Sequence, residues 1–278
     1  MGNTIDLDAY LARIGYEGPL DPSVATLAKL HELHPRAIPF ENLSPFAGVT
    51  PALDPASLEE KLVRDGRGGW CFEQNLLFAL ALEAIGFQVT RLAARVRMGV
   101  SAGVTRPRSH CLLRVPLEGA DYIADVGFGG LTLTGPLRMA SEGEQSTPHE
   151  PHRVTGIGQG VRLVEAKVAG DWVPLYSFEP HEQQVADYEV SNWYLSHHPD
   201  SHFVKSLAIA RALPGERHAI RQTRYSIHRA GRESERRFAA SADELLEWLE
   251  GPFAIRVPRS GELDEKLARL VATSPREA

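Results

Sequence analysis

Several things are scarce in this sequence of 278 residues, and each scarcity removes a class of function. Cysteine occurs twice, as Cys71 and Cys111, leaving no CxxC pair, no cysteine-rich zinc framework and no disulfide scaffold. Unbroken apolar runs are short. The longest, Leu76 to Leu82, falls far below the ~20 residues that cross a bilayer. The opening Met1-Gly2-Asn3-Thr4-Ile5-Asp6 has no basic start and no apolar segment, and Asp6 stands where a myristoylation signal has Ser or Thr. Positive charge is in deficit, with 30 basic against 36 acidic residues and a net charge of −6. The densest basic stretch, Arg221 to Arg237, is interrupted by Glu233 and Glu235 and reads as a solvated face, not a nucleic-acid surface. Lysine is rare, 5 against 25 arginines, which we read as coding bias without functional weight. The expectation is a cytoplasmic protein with no nucleic-acid or membrane partner, whose two thiols stay reduced and are reactive or buried.

What is present is an ordinary soluble composition. Hydrophobic residues make up 43% and charged residues 24%, which excludes collagen-like, disordered and disulfide-rich chains. The length suits two domains or one layered body. The first ~86 residues read as helices. Asp6 can cap a helix bearing Leu7, Tyr10, Leu11 and Ile14. Asp21-Pro22 signals a second, with Val24, Leu27, Leu30 and Leu33, ended by Pro35; Asp54-Pro55 precedes Leu58, Leu62 and Val63. The loop Gly66-Arg67-Gly68-Gly69-Trp70 then opens onto Cys71 to Ile85, a run of helix formers apolar nearly all round and stopped by Gly86. Such a helix belongs at the centre of a fold.

From Phe87 the texture becomes strand-like, at Val89 to Val96, His110 to Val115, Tyr122 to Val126, Val161 to Val168 and Trp172 to Phe178. Ala140 to Gly160 reads as a long loop and Glu182 to Leu195 as a helix. Strand-like runs follow near Leu207 to Ala212 and Tyr225 to His228. A capping box, Ser241 with Glu244, precedes Leu245, Leu246, Trp248 and Leu249, and a last helix covers Glu262 to Leu270. There is no internal repeat. The order is helices, then strands, then mixed α/β.

Among residues able to do chemistry, Cys71 stands first. At a helix N-terminus it meets the positive end of the helix dipole and free N–H groups, both of which favour thiolate, and the preceding glycines let backbone approach a substrate. Taken alone it is equally well a small buried residue. A thiol nucleophile needs an imidazole and an orienting group. His110 opens one β run, and Asp125 sits among Ile123, Ala124, Val126 and glycines in another, so antiparallel pairing of those runs would join them. A satisfied structural pair explains the same spacing. Cys111, next to His110, turns to the opposite face as a packing residue. Other patterns fail. His181-Glu182-Gln183-Gln184-Val185 lacks the second histidine of a zinc-protease helix. His31 and His34 have no accompanying ligand set. Neither Gly127-Phe128-Gly129-Gly130 nor Gly156-Ile157-Gly158-Gln159-Gly160 has a dinucleotide fingerprint. No metal, NAD or ATP is expected.

Arg67-Gly68-Gly69-Trp70-Cys71-Phe72-Glu73-Gln74-Asn75 resembles the active-site signature of the arylamine N-acetyltransferases of bacterial type. The likeness extends to Ile38-Pro39-Phe40-Glu41-Asn42-Leu43, Ala94-Arg95-Val96, Asp125-Val126-Gly127-Phe128-Gly129, Glu189-Val190-Ser191-Asn192-Trp193 and His198-Pro199. It covers roughly residues 5 to 205; no motif in the last ~70 residues matches. The resemblance implies an α+β fold with a cysteine-protease-like core. Residues 1–86 would form a helical bundle carrying the nucleophile. Residues 87–190 would form a β-barrel-like domain carrying the His and Asp, and 191–278 an α/β lid. It implies a triad of Cys71, His110 and Asp125. It also implies acceptor contacts at Phe40, Trp70, Val96 and Phe128, and coenzyme A contacts at Ser109, Gly127, Gly129 and Phe203, with Ser109 standing where relatives have Thr. Arg67, Glu73 and Asn75 fall to architecture.

The implied activity is transfer of an acetyl group from acetyl-CoA, as co-substrate and not as a resident cofactor, to an arylamine, arylhydrazine or N-hydroxyarylamine. The mechanism would be ping-pong, through a Cys71 thioester, and a homodimer is among the assemblies open to the chain. The competing readings keep the triad but pass the acyl group to water or to an intramolecular amine. More distant ones are a protease and a binding domain with a degenerate site.

Overall fold

The N-terminal helices begin where the sequence offers caps, with two departures from expectation. In the computed structural model, which describes residues 4–101 and 103–274, Asp6 caps α1 (Leu7–Ile14) by accepting the Ala9 amide at 3.0 Å. The first three residues of the leader reading lie outside the described residues. α2 (Val24–Ala37) starts at Ser23, whose hydroxyl accepts the Thr26 amide, and not at Asp21-Pro22. It also runs through Pro35. Proline removes one donor from the ladder and leaves the His31 carbonyl without its helical partner, but the Ile38 amide still bonds the His34 carbonyl and the helix survives.

After β1 (Phe40–Glu41) and α3 (Leu43–Phe46), Asp54 caps α4 (Pro55–Glu59), which continues as a π-helical turn over Glu60–Arg64. In α5 (Cys71–Ile85) every residue from Cys71 to Leu82 is buried, as a helix with no polar face requires. Gly86, at φ 108°, reverses the chain: its amide bonds the Glu83 carbonyl and the Phe87 amide the Leu82 carbonyl.

Seven strands follow: β2 (Thr90–Val96), β3 (His110–Leu117), β4 (Ala120–Ala124), β5 (Leu137–Arg138), β6 (His152–Gly156), β7 (Arg162–Val168) and β8 (Asp171–Glu182). They form an antiparallel sheet in the order β5-β4-β3-β2-β8-β7-β6. The sheet curls into a nearly closed barrel, and Gln145, just beyond β5, exchanges two backbone hydrogen bonds with His152 of β6. Leu92, Ala94, Leu112, Ile123, Val154, Val164 and Tyr176 fill its interior. The stretch 140–160 is therefore not all loop: it contains β6, whose short alternation is masked by polar neighbours.

The remaining elements are α6 (Val185–His197), α7 (His202–Lys205), β9 (Ala208–Leu213), β10 (Glu216–Arg221), β11 (Arg224–Arg229), β12 (Glu235–Phe238), α8 (Ala242–Glu250) and α9 (Gly261–Thr273). β9 to β12 form a second antiparallel sheet, extended at one edge by β1 from the N-terminal part, with Phe40 opposite Ala210. Leu43 and Phe46 of α3 share a core with Leu245 and Leu249 of α8 and Leu263 and Leu267 of α9. Helix α6 runs unbroken across the 190/191 position that the resemblance gives as a division. β10 and β12 escape the sequence reading because charged side chains dominate them. The capping box at α8 is displaced by one residue: Ser241 accepts the Glu244 amide, while the Glu244 carboxylate takes the amide of Ala240. The mixed α+β architecture is as expected. Among the described residues, no helix is long and apolar enough to cross a membrane.

Among the described residues five histidines are buried, three of them completely. His31 and His34 of α2 and His152 of β6 are fully buried. Burial drives their pKa values down, to about 4, about 3 and about 4; nearby positive charge adds to the effect, from Arg13 at His34 and Arg217 at His152. A ring that stays neutral in the fold but takes a proton when unfolded makes stability fall as pH drops below the unfolded value of ~6.5. Stability, read as the urea midpoint, should fall from about pH 6.5 to 5, above the ordinary carboxylate range, each ring contributing up to ~1.4 kcal/mol per pH unit. His34→Gln should flatten the slope. A midpoint level across that window would refute the assignment.

Candidate active site

Cys71 is the first residue of α5, so the question is what holds that first turn. Its preceding loop lies against the segment before α3: the Glu41 amide bonds the Gly69 carbonyl at 3.1 Å and the Gly69 amide the Pro39 carbonyl at 3.3 Å. A side chain at position 68 would put its Cβ 2.2 Å from the Pro39 oxygen, which is why glycine stands there. The Arg67 guanidinium donates to the buried Glu41 carboxylate through Nε (3.0 Å) and Nη2 (2.6 Å), and the other Glu41 oxygen takes the Leu43 amide. Gln74 donates from Nε2 to the Ile38, Pro39 and Gly69 carbonyls. Glu73 accepts the Trp70 amide at 3.1 Å and pairs with Lys61 at 2.6 Å; burial, opposed by Lys61, raises its pKa. Trp70, at the cap position, gives the first-turn amides no side-chain acceptor. They remain available to a negative charge beside Cys71.

The other two members arrive from the barrel. β3 and β4 are antiparallel neighbours, with Leu113 opposite Ala124. His110 opens β3, and Asp125 is the first residue past β4. The register puts them on a diagonal, and the His110 Nε2–H donates to Asp125 Oδ2 at 2.7 Å. Cys71 acts on the His110 ring from the other side, and its thiol donates to the Ser109 carbonyl at 3.7 Å. All three side chains are buried, Cys71 retaining 5% exposure, His110 2% and Asp125 none.

Burial alone would lower the His110 pKa. The Asp125 charge and hydrogen bond, aided by Cys71, override it and raise it to about 10. Burial would likewise raise the Asp125 pKa, and His110, Asn75 and the Gly127 amide together hold it below the ordinary carboxylate value. Both directions favour imidazolium beside carboxylate, the charge state that stabilises a neighbouring thiolate.

Aromatic rings border this constellation on two sides. Phe203 packs against Phe40 (6.2 Å between centroids) and Trp70 (5.4 Å), with Gly129 against the Phe40 ring. The Asn42 amide fixes Phe203 by donating to its carbonyl at 2.8 Å. Phe128 meets His110 edge-on at 5.2 Å and packs on Tyr176. Val96 ends β2 opposite Tyr176. Gly127 is tightly enclosed: a Cβ there would lie 2.8 Å from the Cys71 Cα and 2.9 Å from Asn75 Nδ2. Cys111 faces the helical core, and burial pushes its thiol up to about 12.

Sequence reasoning missed three residues of this site. Asn75, assigned to architecture, donates to Asp125 Oδ1 at 2.9 Å and accepts the Val126 amide. Its place one helical turn after Cys71 was the available signal. Tyr176 packs on the His110 ring at 4.8 Å; nothing in its strand marked it. His31 accepts the Asp125 amide through Nε2 at 2.9 Å, and the hint was Pro35, four residues on.

A helical segment delivering a cysteine to a histidine and aspartate on a curled antiparallel sheet is the arrangement of a thiol-dependent transferase or hydrolase. A family model described as N-acetyltransferase matches residues 23–261, extending the likeness well past residue 205. The arylamine N-acetyltransferase of Mycolicibacterium smegmatis is 42% identical over 245 residues, 87% of this chain and 89% of that protein. The solved structure of arylamine N-acetyltransferase from M. tuberculosis superposes with a TM-score of 0.91 at 37% identity, covering 95% of this chain and all of the other. That of Mycobacterium marinum arylamine N-acetyltransferase in complex with CoA gives 0.91 at 35% identity, over 95% and 99%. The chain belongs to the arylamine N-acetyltransferase family.

Gly127→Ala is expected to drive a methyl group into the Cys71 backbone, destabilising the protein by ~1–3 kcal/mol and slowing alkylation of Cys71 by iodoacetamide roughly tenfold. Thermal melting and alkylation rates check both. A variant with unchanged stability and reactivity would mean that the turn and α5 are not so closely apposed.

Proposed function

We propose that the protein transfers an acetyl group from acetyl-CoA to an arylamine, arylhydrazine or N-hydroxyarylamine by a ping-pong cycle through Cys71. The single observation that carries this reading is the buried His110–Asp125 pair beside a cysteine at an uncapped helix N-terminus. Family membership and the CoA complex of the M. marinum relative support the choice of donor.

In the first half-reaction the thiol proton resides on His110 as imidazolium, and the Cys71 thiolate attacks the acetyl carbonyl carbon. The oxyanion collapses, the bond to the CoA sulfur breaks, and His110 returns a proton to the departing thiolate. In the second half an aromatic amine, weakly basic and so unprotonated at neutral pH, attacks the thioester. The Cys71 sulfur leaves, and His110 accepts the amine proton. Asp125 holds the ring and balances its charge, as in cysteine-protease-like sites. First-turn amides of α5 would receive the oxyanion.

Phe40, Trp70 and Phe128, with Val96 at the margin, would offer the acceptor flat apolar surface. Ser109, Gly129 and Phe203 are the positions we assign to coenzyme A. Gly127 is better assigned to close packing against α5. On a division into residues 1–86, 87–190 and 191–278, the bundle would carry the nucleophile and the barrel its partners. The free thiols of Cys71 and Cys111 suit a cytoplasmic setting.

Intact-protein mass spectrometry after mixing with acetyl-CoA should show one acetyl group, mapped to Cys71 and discharged by an aromatic amine or hydrazine. An adduct lost to water as fast as to amine would replace the transferase with a hydrolase. No adduct, with Cys71 inert to iodoacetamide, would defeat the mechanism.

Cys71→Ser and His110→Ala should each lower acetyl transfer by about a thousandfold or more. In Asp125→Asn the imidazole should return toward its ordinary value. The pH profile of Cys71 alkylation, expected to lack a step near ~6.5 in the parent protein, should then acquire one.

A further inference from the structure

We propose that His31 is a positioning residue for acyl transfer, a neutral imidazole whose Nε2 lone pair holds the backbone of Asp125. The inference rests on the triad chemistry proposed above. Asp125 follows the last paired residue of β4, Ala124, so the ladder offers its amide no partner. That amide is buried, and a buried N–H without an acceptor is costly. Its acceptor is the ring of His31, delivered from α2 across a sequence separation of 94 residues at 2.9 Å. The bond completes a full set around Asp125. His110 holds Oδ2, while Asn75 and the Gly127 amide hold Oδ1. Thr132 donates to the carbonyl, and His31 takes the amide.

Local features fix the tautomer. An amide can only donate, so Nε2 must carry the lone pair and Nδ1 the proton. Nδ1 is buried and has no hydrogen-bond partner among the described residues; the His31 carbonyl, to which Pro35 has no N–H to give, acts on the ring in favour of its proton. Phe78 packs edge-on against the ring at 5.7 Å and interplanar angle 87°, which sets its orientation. With burial opposing protonation, the ring remains an acceptor throughout the neutral range. Removing the acceptor would free the Asp125 backbone to turn toward another partner. The carboxylate would then shift relative to His110, and the charge that keeps the imidazole protonated would be weakened.

The test compares His31→Leu, which removes the acceptor, with His31→Gln, whose Oε1 can occupy the place of Nε2. For His31→Leu we expect kcat of acetyl transfer to fall about 10- to 100-fold, with KM for acetyl-CoA within about twofold. The low-pH limb of Cys71 alkylation should move to higher pH. His31→Gln should recover most of the rate and the parent profile. Histidine side-chain 15N spectra of the parent protein supply a measurement independent of any variant. One ring, identified by its loss in His31→Gln, should have an unprotonated Nε2 and should not titrate between about pH 5.5 and 8.

An unchanged rate and profile in a folded His31→Leu would overturn the proposal. So would equal losses in both variants with the profile unmoved, or a protonated Nε2 in the parent. If the parent fails to transfer acetyl groups but its alkylation profile still shifts in His31→Leu, the positioning role stands and the acyl-transfer reading falls.

Discussion

A single negative charge with no access to water, the carboxylate of Asp125, organises this molecule. A carboxylate moved from water into a protein interior loses several kcal/mol of solvation unless other groups replace it. Here the replacement is drawn from different parts of the chain. β3 supplies His110, α5 supplies Asn75, the turn after β4 supplies the Gly127 amide, and α2 holds the backbone from behind. The helical part and the barrel are thus joined around one charge, and the bonds that stabilise it also set the protonation of the imidazole. Fold and chemistry share the same contacts.

The cysteine is held by a different logic, close approach of backbone to backbone. Gly68 lets the signature loop touch Pro39, Gly127 lets the barrel touch the first turn of α5, and Gln74 ties three carbonyls to that turn. The buried Arg67–Glu41 pair also bonds the Leu43 amide, fixing the point where the chain leaves β1 for α3. Such a pair is weak evidence for stability, but its geometry specifies one arrangement of the loop. Cys71 therefore sits on rigid scaffolding, although a glycine-rich loop precedes it.

Much of this was legible in the residues. The capping aspartates, the all-round apolar α5 with its terminal glycine, and the odd Asp125 amid apolar neighbours each located an element or a group through local physics. The residues that escaped are those whose role depends on distant partners. His31 and His34 looked like a ligand pair lacking ligands, because their partners, the Asp125 amide, Tyr10 and Gln74, come from elsewhere in the chain. Pro35 reads as a helix terminator, since a lost hydrogen bond and a lost helix leave the same mark in a sequence. β10 and β12 are charged strands, and alternation has no apolar face to reveal there. The edge strand β1 is two residues long and owes its existence to β9.

That last dependence bears on how the chain is assembled. β1 and α3 leave the ribosome early, yet the strand and helices that complete them belong to the last third of the sequence. Until β9 emerges, Phe40 and Glu41 have an unpaired edge, and the signature loop has only an unanchored segment to rest on. Long-range pairing of this kind is slow to form because loop closure precedes the contacts that reward it. Cys71 therefore acquires its full setting only after β9 has emerged, so that a partly made chain carries the cysteine without a finished site around it.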